Sequence, residues 1–158
     1  MPNYNGVWSL STQYQYVADW PVKPFNYLSS GTDAGLFVSA NGTNVLDFVT
    51  ISTTGNASDF GDATANKYYV QGHGNATRAI TGYGGGNGTG TIDYVEFATK
   101  GNAADFGDTA TAFGAQQGGG CGNNTRGVFG GATANNSDIM EYVTMASLGN
   151  GTDFGNLS

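Results

Sequence analysis

The chain alternates short apolar runs with polar, glycine-rich turns, and one such pattern occurs three times. The segment Val45–Gly61, VLDFVTISTTGNASDFG, has further copies at Thr91–Gly107 and Ile139–Gly155. Each copy joins an apolar, strand-like run to a Gly-Asn turn and an Asp-Phe-Gly sequence. The copies lie roughly 46 to 48 residues apart, a period that is typical of repeat architectures. The pattern therefore predicts a repeat protein.

Each repeat contains four candidate strands, separated by Asn-Gly and Gly-Asn pairs that favour hairpin turns. The repeats cover about residues 25–62, 67–108 and 111–156, which predicts a three-repeat β domain over residues 25–158. The predicted strands are FNYLSS, GLFVSA, VLDFVTIS and SDFGD; then KYYVQGHG, AITGYGG, IDYVEFA and ADFGD; then TAFGAQQGG, GVFGGAT, IMEYVTMA and TDFGN.

The third strand of each repeat is apolar on both of its faces. One face carries Leu46, Ile92 and Met140, followed by Phe48, Tyr94 and Tyr142. The other face carries Val49, Val95 and Val143, followed by Ile51, Phe97 and Met145. A strand of this kind belongs to a sheet that is covered on both sides. Small antiparallel sheets meet this condition when they stack radially, as the blades of a β-propeller do, so an all-β fold is expected.

Residues 1–24 stand outside the repeats and form an aromatic N-terminal arm, in which Trp8–Val17 is a candidate short helix. Two interpretations stay open: the arm packs on its own domain and caps the first repeat, or it anchors the chain to another protein. Tryptophan and tyrosine are enriched at the centres of protein interfaces. The candidate anchoring residues are Tyr4, Trp8, Tyr14, Tyr16 and Trp20.

Composition removes several classes of partner. The formal net charge is −7 and only five residues are basic, so binding to a nucleic-acid backbone is not expected. Neither a signal-peptide pattern nor a long apolar run is present, so no membrane partner is expected and synthesis as a soluble cytoplasmic product is predicted. The single Cys121 excludes an intrachain disulfide framework and is interpreted as a free thiol.

The chain offers little catalytic chemistry. His73 is the only histidine, which argues against histidine metal clusters and serine-histidine triads, so neither an enzymatic activity nor a cofactor is expected. The repeated aspartates Asp59, Asp62, Asp105, Asp108 and Asp153 have two interpretations: oxygen ligands for Ca²⁺ or Asx turns. The turn interpretation is preferred, and no metal is expected. The residues predicted to hold the repeats together, with the three phenylalanines buried, are Asp59, Phe60, Asp105, Phe106, Asp153 and Phe154.

The strand pattern resembles a kelch repeat. GVFGG at Gly127–Gly131 has the double glycine of that family, and EYV at Glu141–Val143 and the aromatic Phe154 follow in the family's order. AITGYGG in repeat two matches more loosely, while GLFVSA in repeat one lacks the double glycine. The family's usual fourth-strand tryptophan is a phenylalanine in all three repeats. The resemblance implies propeller-type, four-stranded blades.

A closer resemblance is to repeat proteins of marine phages, particularly cyanophages, whose pattern runs approximately IDYVTIASTGNATDFGD and then TRGVFGGG. The matching segments are Ile92–Asp108, Thr125–Gly131 and Glu141–Gly155, with an opening at Gly6–Gln15, Trp20 and Pro21. The resemblance implies a non-enzymatic virion protein on the particle surface, either a capsid decoration or a knob. Its partners would be other virion proteins and further copies of itself. The alternative is a tail-fibre or receptor-binding module, or a carbohydrate-binding module whose ligand is a host-surface glycan.

Three blades do not close a propeller, whose usual range is four to eight blades. Two chains would supply six blades by symmetry. A closed pseudo-threefold fold, such as a β-prism or a β-trefoil, would solve the problem within one chain. Both arrangements are compatible with the sequence.

Overall fold

A computed structural model describes residues 33–38, 41–82, 90–110, 118–131 and 138–158. These residues form β-strands and no helix, which confirms an all-β fold. The strands are β1 (Ala34–Val38), β2 (Asn41–Thr50), β3 (Ser58–Tyr68), β4 (Gln71–Gly74), β5 (Arg78–Gly82), β6 (Thr91–Glu96), β7 (Ala104–Asp108), β8 (Gly119–Gly122), β9 (Arg126–Gly130), β10 (Ile139–Thr144) and β11 (Thr152–Asn156).

The strands form three antiparallel sheets in which neighbours in sequence are neighbours in space. Sheet A contains β1 to β3, sheet B contains β4 to β7, and sheet C contains β8 to β11. Short Asn-rich and Gly-rich connections suit this meander, because antiparallel neighbours need only tight turns. The predicted first strand of repeat one, at residues 25–30, lies outside the described residues, as does the arm at residues 1–24.

The Asp-Phe-Gly sequence is a β-bulge that recurs in all three sheets. In sheet B, Ile92 pairs with Gly107 and Asp93 pairs with Asp105, so Phe106 is the extra residue. The register shifts at the equivalent place in sheets A and C. The glycine after each phenylalanine has a positive φ, between 126° and 149°, which disfavours other residues. The bulge places an extra phenylalanine on one face of each sheet.

Several predicted strand boundaries differ from the structure: β2 begins at Asn41 rather than at Val45, and β8 covers Gly119–Gly122, whereas the prediction was residues 111–119. KYYVQGHG was expected to form one strand, but Lys67 and Tyr68 complete β3, and β4 begins only at Gln71. Tyr68 pairs with Asn41, which extends the β2–β3 hairpin beyond the repeated segment. Tyr69, which lies between β3 and β4, has a φ of 53°, and this left-handed conformation ends the strand.

Two apolar cores lie between the sheets. The core between sheets A and B contains Leu46, Phe60, Ala63, Ala79, Val95 and Phe97. The core between sheets B and C contains Ile80, Ile92, Phe106, Phe129, Val143 and Met145. Each sheet therefore has a forward face, which carries the bulge phenylalanine and points to the next sheet, and a rear face, which points to the preceding sheet. The two faces match the two apolar sides predicted for the third strand.

The prediction that all three bulge phenylalanines are buried is wrong for Phe154. The exposed fractions of the side chains are 5% for Phe60, 2% for Phe106 and 49% for Phe154. The first two are covered by the next sheet in the chain, and no described sheet follows sheet C. At the other end, Ile51 on the rear face of sheet A is 69% exposed. Sheet C therefore does not close onto sheet A within the described residues.

Candidate functional site

The most regular feature of the molecule is the junction between consecutive sheets. At the A–B junction, the Gly101 amide donates to the Phe60 carbonyl over 2.9 Å, and the Ala103 amide donates to the Asp62 carbonyl over 2.7 Å. The side-chain oxygen of Asn102 accepts from the Asp62 amide over 3.1 Å. The Gly-Asn turn of one sheet is therefore fastened to the Asp-Phe-Gly bulge of the sheet before it.

The B–C junction repeats these three bonds. The Gly149 amide donates to Phe106 over 2.9 Å, and the Gly151 amide donates to Asp108 over 2.7 Å. Asn150 accepts from the Asp108 amide over 3.0 Å. Because both junctions use the same backbone groups, the Gly-Asn turn and the Asp-Phe-Gly bulge act as complementary halves of one contact.

Close backbone approach requires glycine at the bulge. A Cβ atom at Gly61 would collide with the backbone of Gly101, and one at Gly107 would collide with the backbone of Gly149. A Cβ atom at Gly155 would meet nothing within 4 Å. At Gly155, therefore, only the positive φ favours glycine. The third bulge nevertheless has the small residue that would allow another backbone to approach closely.

A buried ion pair lies at the A–B junction. Asp93 on the rear face of sheet B is 0% exposed, and its carboxylate lies 3.0 Å from the Lys67 ammonium of sheet A. The Thr64 amide and hydroxyl also donate to it, over 3.1 Å and 2.6 Å. At the equivalent place in sheet C, the buried Glu141 accepts from the Ala110 amide over 3.0 Å. A rear-face carboxylate thus meets a backbone amide from the last strand of the preceding sheet, or from just after that strand, at both junctions.

The forward face of sheet C is an uncovered version of the forward faces inside the molecule. The Phe154 ring packs edge-on against Tyr142 at 6.1 Å, as Phe106 packs against Tyr94 at 5.9 Å. Arg126 lies over the Tyr142 ring at 4.4 Å, as Arg78 lies over Tyr94 at 5.0 Å. Leu157, which lies near Gly131, is also exposed.

The rear face of sheet A is an uncovered version of the rear faces inside the molecule. Phe37 and Ile51 are 59% and 69% exposed. They lie around Gly35 together with Val49, since a Cβ atom at Gly35 would touch all three side chains. Phe37 pairs with Asp47, as Phe129 pairs with Glu141 in sheet C. Phe129 is buried against sheet B, so the difference in exposure reflects the sheet that covers it.

Two of the repeated aspartates, Asp105 and Asp153, bond to backbone amides of their own turns. Asp105 accepts from the Gly107 amide over 3.1 Å, and Asp153 accepts from the Gly155 amide over 3.0 Å. This is the geometry of an Asx turn. Across the part of the chain that the structure describes, no three His, Cys, Asp or Glu side chains converge as they would to hold a metal ion.

We expect the melting temperature to be the same in EDTA and in millimolar Ca²⁺, because the carboxylates of Asp105 and Asp153 are committed to their own turns. Differential scanning fluorimetry of the full chain tests this. A rise of several degrees on adding Ca²⁺ would contradict the turn interpretation, since a ligand that binds only the folded state must stabilise it.

The other residues singled out in the sequence lie apart from one another. The imidazole of His73 lies 3.0 Å from the Asn123 carbonyl, a contact between sheets B and C. Cys121 is an exposed free thiol on β8. The predicted anchoring residues all fall in the arm, outside the described residues. No helix in the described ranges is long and apolar enough to cross a bilayer.

The two uncovered faces were not recognised from the sequence as candidate sites. The signal is present, because Phe37 and Ile51 lie in the first repeat and Phe154 in the last, at positions where other repeats bury an apolar side chain. Comparison of the sequence with protein-family models and with curated proteins finds no match. The candidate site therefore rests on the geometry of the sheets and on the internal repeats.

Proposed function

We propose that this chain is a non-enzymatic structural protein of a phage virion, displayed on the particle surface as a capsid decoration or knob. The structural observation that supports this is the stack of sheets joined by the same backbone bonds, with an uncovered apolar face at each end. A stack of this kind suits a protein that works by contact with neighbouring subunits. The resemblance of Ile92–Asp108 to marine phage repeats supplies the assignment to a phage.

The finer architecture belongs to the same proposal. Each sheet corresponds to one kelch-like blade, and the first blade would be completed by the predicted strand at residues 25–30. Two chains would then supply six blades, within the usual range of propellers. Partners in the particle are other virion proteins, which the aromatic arm at residues 1–24 contacts through Trp8 or Trp20.

The arm provides the test. A chain that begins at Phe25 should keep its β-sheet circular dichroism, because the described cores between the sheets lie entirely within later residues. It should fail to co-sediment with virus particles that lack the protein, whereas the full chain should bind them. The double variant Trp8→Ala, Trp20→Ala in the full chain should lose binding in the same way.

Normal binding by the truncated chain would show that the sheets form the anchor and would contradict the proposed role of the arm. Loss of the β-sheet signal on truncation would instead place the arm in the folded core. Failure of the full chain to bind any particle would contradict the virion proposal itself.

A second candidate function is recognition of a receptor or glycan at the tail. It is favoured by a cleft of about 470 Å³ between β1 and sheet B, whose lining includes Leu36, Phe37 and His73. Its volume falls in the range of about 300–1,000 Å³ that is usual for small-ligand sites. A receptor-binding protein would occur in few copies at the tail, whereas a decoration protein occurs in many copies on the head.

A further inference from the structure

The two outer faces of the molecule are the two halves of its internal junctions. Each internal junction joins a forward-face bulge to the Gly-Asn turn of the next sheet. Sheet C ends in an unused bulge at Asp153–Gly155, and sheet A begins with an unused turn at Gly55–Asn56, both exposed except for the partly buried Gly155. The chain therefore carries one complete extra contact, divided between its two ends.

The backbone groups of this extra contact are in register. By equivalence with the internal junctions, the Gly55 amide corresponds to the donors Gly101 and Gly149, and the Phe154 carbonyl corresponds to the acceptors Phe60 and Phe106. Likewise the Asn56 side chain corresponds to Asn102 and Asn150, and the Asn156 amide corresponds to their donors at Asp62 and Asp108. The third bond, from Ala103 to Asp62 and from Gly151 to Asp108, would run from the Ala57 amide to the Asn156 carbonyl. The same three bonds can thus form between sheet C and a sheet A.

The side chains match as well. Inside the molecule, Phe60 meets Phe97 edge-on at 6.4 Å; the equivalent pair across the extra contact is Phe154 and Ile51. Arg78 donates to the Met145 carbonyl of the next sheet over 2.9 Å. Its equivalent Arg126 would donate to the Ile51 carbonyl.

The rear-face carboxylate follows the same scheme. Asp93 accepts from the Thr64 amide in β3, and Glu141 accepts from the amide of Ala110, two residues after β7. The equivalent carboxylate in sheet A is that of Asp47, which is partly buried. The equivalent amide is that of the exposed Ser158, which follows the last strand of sheet C. Sheet A therefore presents the carboxylate of Asp47 and the side chain of Ile51, and the end of sheet C presents the Ser158 amide and the Phe154 ring that would contact them.

We propose that the forward face of sheet C binds the rear face of sheet A in a second copy of this chain, head to tail. The chain's own arm is a poorer occupant of either face, because residues 1–24 contain neither the Gly-Asn sequence that a forward face binds nor the Asp-Phe-Gly sequence that a rear face binds. Such a contact is heterologous, so it builds a ring when the rotation closes and a polymer when it does not. The inference goes beyond the virion proposal and rests on the internal junctions alone.

Two variants of the full chain test the contact, one on each face. Phe154→Lys places a charge on the forward face of sheet C, and Ile51→Lys places one on the rear face of sheet A. Both side chains are largely exposed, so each variant should keep the wild-type circular dichroism. The control is Leu148→Lys, because Leu148 is 58% exposed and repeat two carries Lys100 at the equivalent position.

Light scattering after size exclusion gives the masses. We expect wild type and Leu148→Lys to assemble, and each face variant to lose the assembly and run at 16.2 kDa. An equimolar mixture of the two face variants should form a dimer, because the intact rear face of Phe154→Lys fits the intact forward face of Ile51→Lys. That dimer is specific to a head-to-tail contact.

Three results would overturn the proposal: a monomeric wild type, assembly that survives in one face variant alone, or a mixture that stays monomeric. Assembly of one face variant alone would indicate an isologous contact, in which the intact face binds the same face of a second copy. A monomeric wild type would indicate that the chain's own arm, rather than a second copy, covers these faces. If either lysine variant misfolds, Asn56→Leu removes the side-chain acceptor without adding a charge. It should weaken assembly by up to about tenfold in dissociation constant, as expected for the loss of one hydrogen bond.

Discussion

Replacing Phe106 with alanine should lower the free energy of unfolding by about 3–5 kcal/mol, the usual cost of truncating a buried phenylalanine. Phe106 is 2% exposed and packs edge-on against Tyr94 in the core between sheets B and C. The cavity would lie between two stacked sheets that are also held by backbone bonds, so the site cannot collapse freely. Urea denaturation followed by circular dichroism measures the loss.

The matched control is Phe154→Ala, which removes the same side chain from the same bulge in a sheet that nothing described covers. Both variants are made in the Ile51→Lys background, so that assembly does not contribute to the comparison. Phe154→Ala should then cost about 1 kcal/mol, the centre of the distribution for point variants. Equal losses at the two positions would show that the third bulge is buried as deeply as the second.

Replacing Asp93 with alanine should lower the free energy of unfolding by about 3–5 kcal/mol, because it leaves the Lys67 ammonium buried without its counter-ion. The side chain of Lys67 is 4% exposed, and Asp93 is its only ion-pair partner among the described residues. The Thr64 amide and hydroxyl lose their acceptor in the same step. Urea denaturation at neutral pH measures the change.

The double variant Asp93→Ala, Lys67→Met separates the cost of an unpaired charge from the cost of lost packing. It should be more stable than Asp93→Ala alone, because no buried charge remains. A double-mutant cycle gives the coupling between the two side chains. If the losses simply add, the ion pair does not join sheets A and B in the way that the 3.0 Å distance indicates.

Much of the strand layout is predictable because two signals recur in every repeat: the alternation of residues along each strand and the Gly-Asn turns between strands. The segments ADFGD and TDFGN form β7 and β11 with the predicted bounds. The cores of the third strands form β2, β6 and β10, and their two apolar sides become the forward and rear faces. Alternation of apolar residues and the Gly-Asn turns is sufficient for this, since both act over a few residues.

Longer-range features were not accessible in the same way. The extension of β3 through Lys67 and Tyr68 depends on pairing with Asn41 across the hairpin, which no local pattern reports. The exposure of Phe154 depends on whether another sheet follows sheet C, and an identical tripeptide in each repeat gives no information on that. The predicted Asx turns are present at Asp105 and Asp153, yet the role of Asn102 and Asn150 as bridges between sheets follows only from the stacking.

The candidate site shows the same division. Composition directed attention to the aromatic arm, because Trp8 and Trp20 have no counterpart elsewhere in the chain. The outer faces are recognised only from the structure, where Ile51 and Phe154 are exposed and the equivalent residues of the other sheets are buried. Ile51 and Phe154 resemble their buried equivalents in type, so hydrophobicity alone does not mark them as surface residues.

The most direct measurement of the central proposal is the number and place of copies of this protein on the native phage particle. Cryo-electron microscopy of purified particles, with an antibody against the sheet domain to mark it, provides both. We expect many copies on the surface of the head, with density for stacked small β-sheets. A few copies confined to the tail would favour the receptor-binding alternative, and particles without the protein would contradict the proposed function.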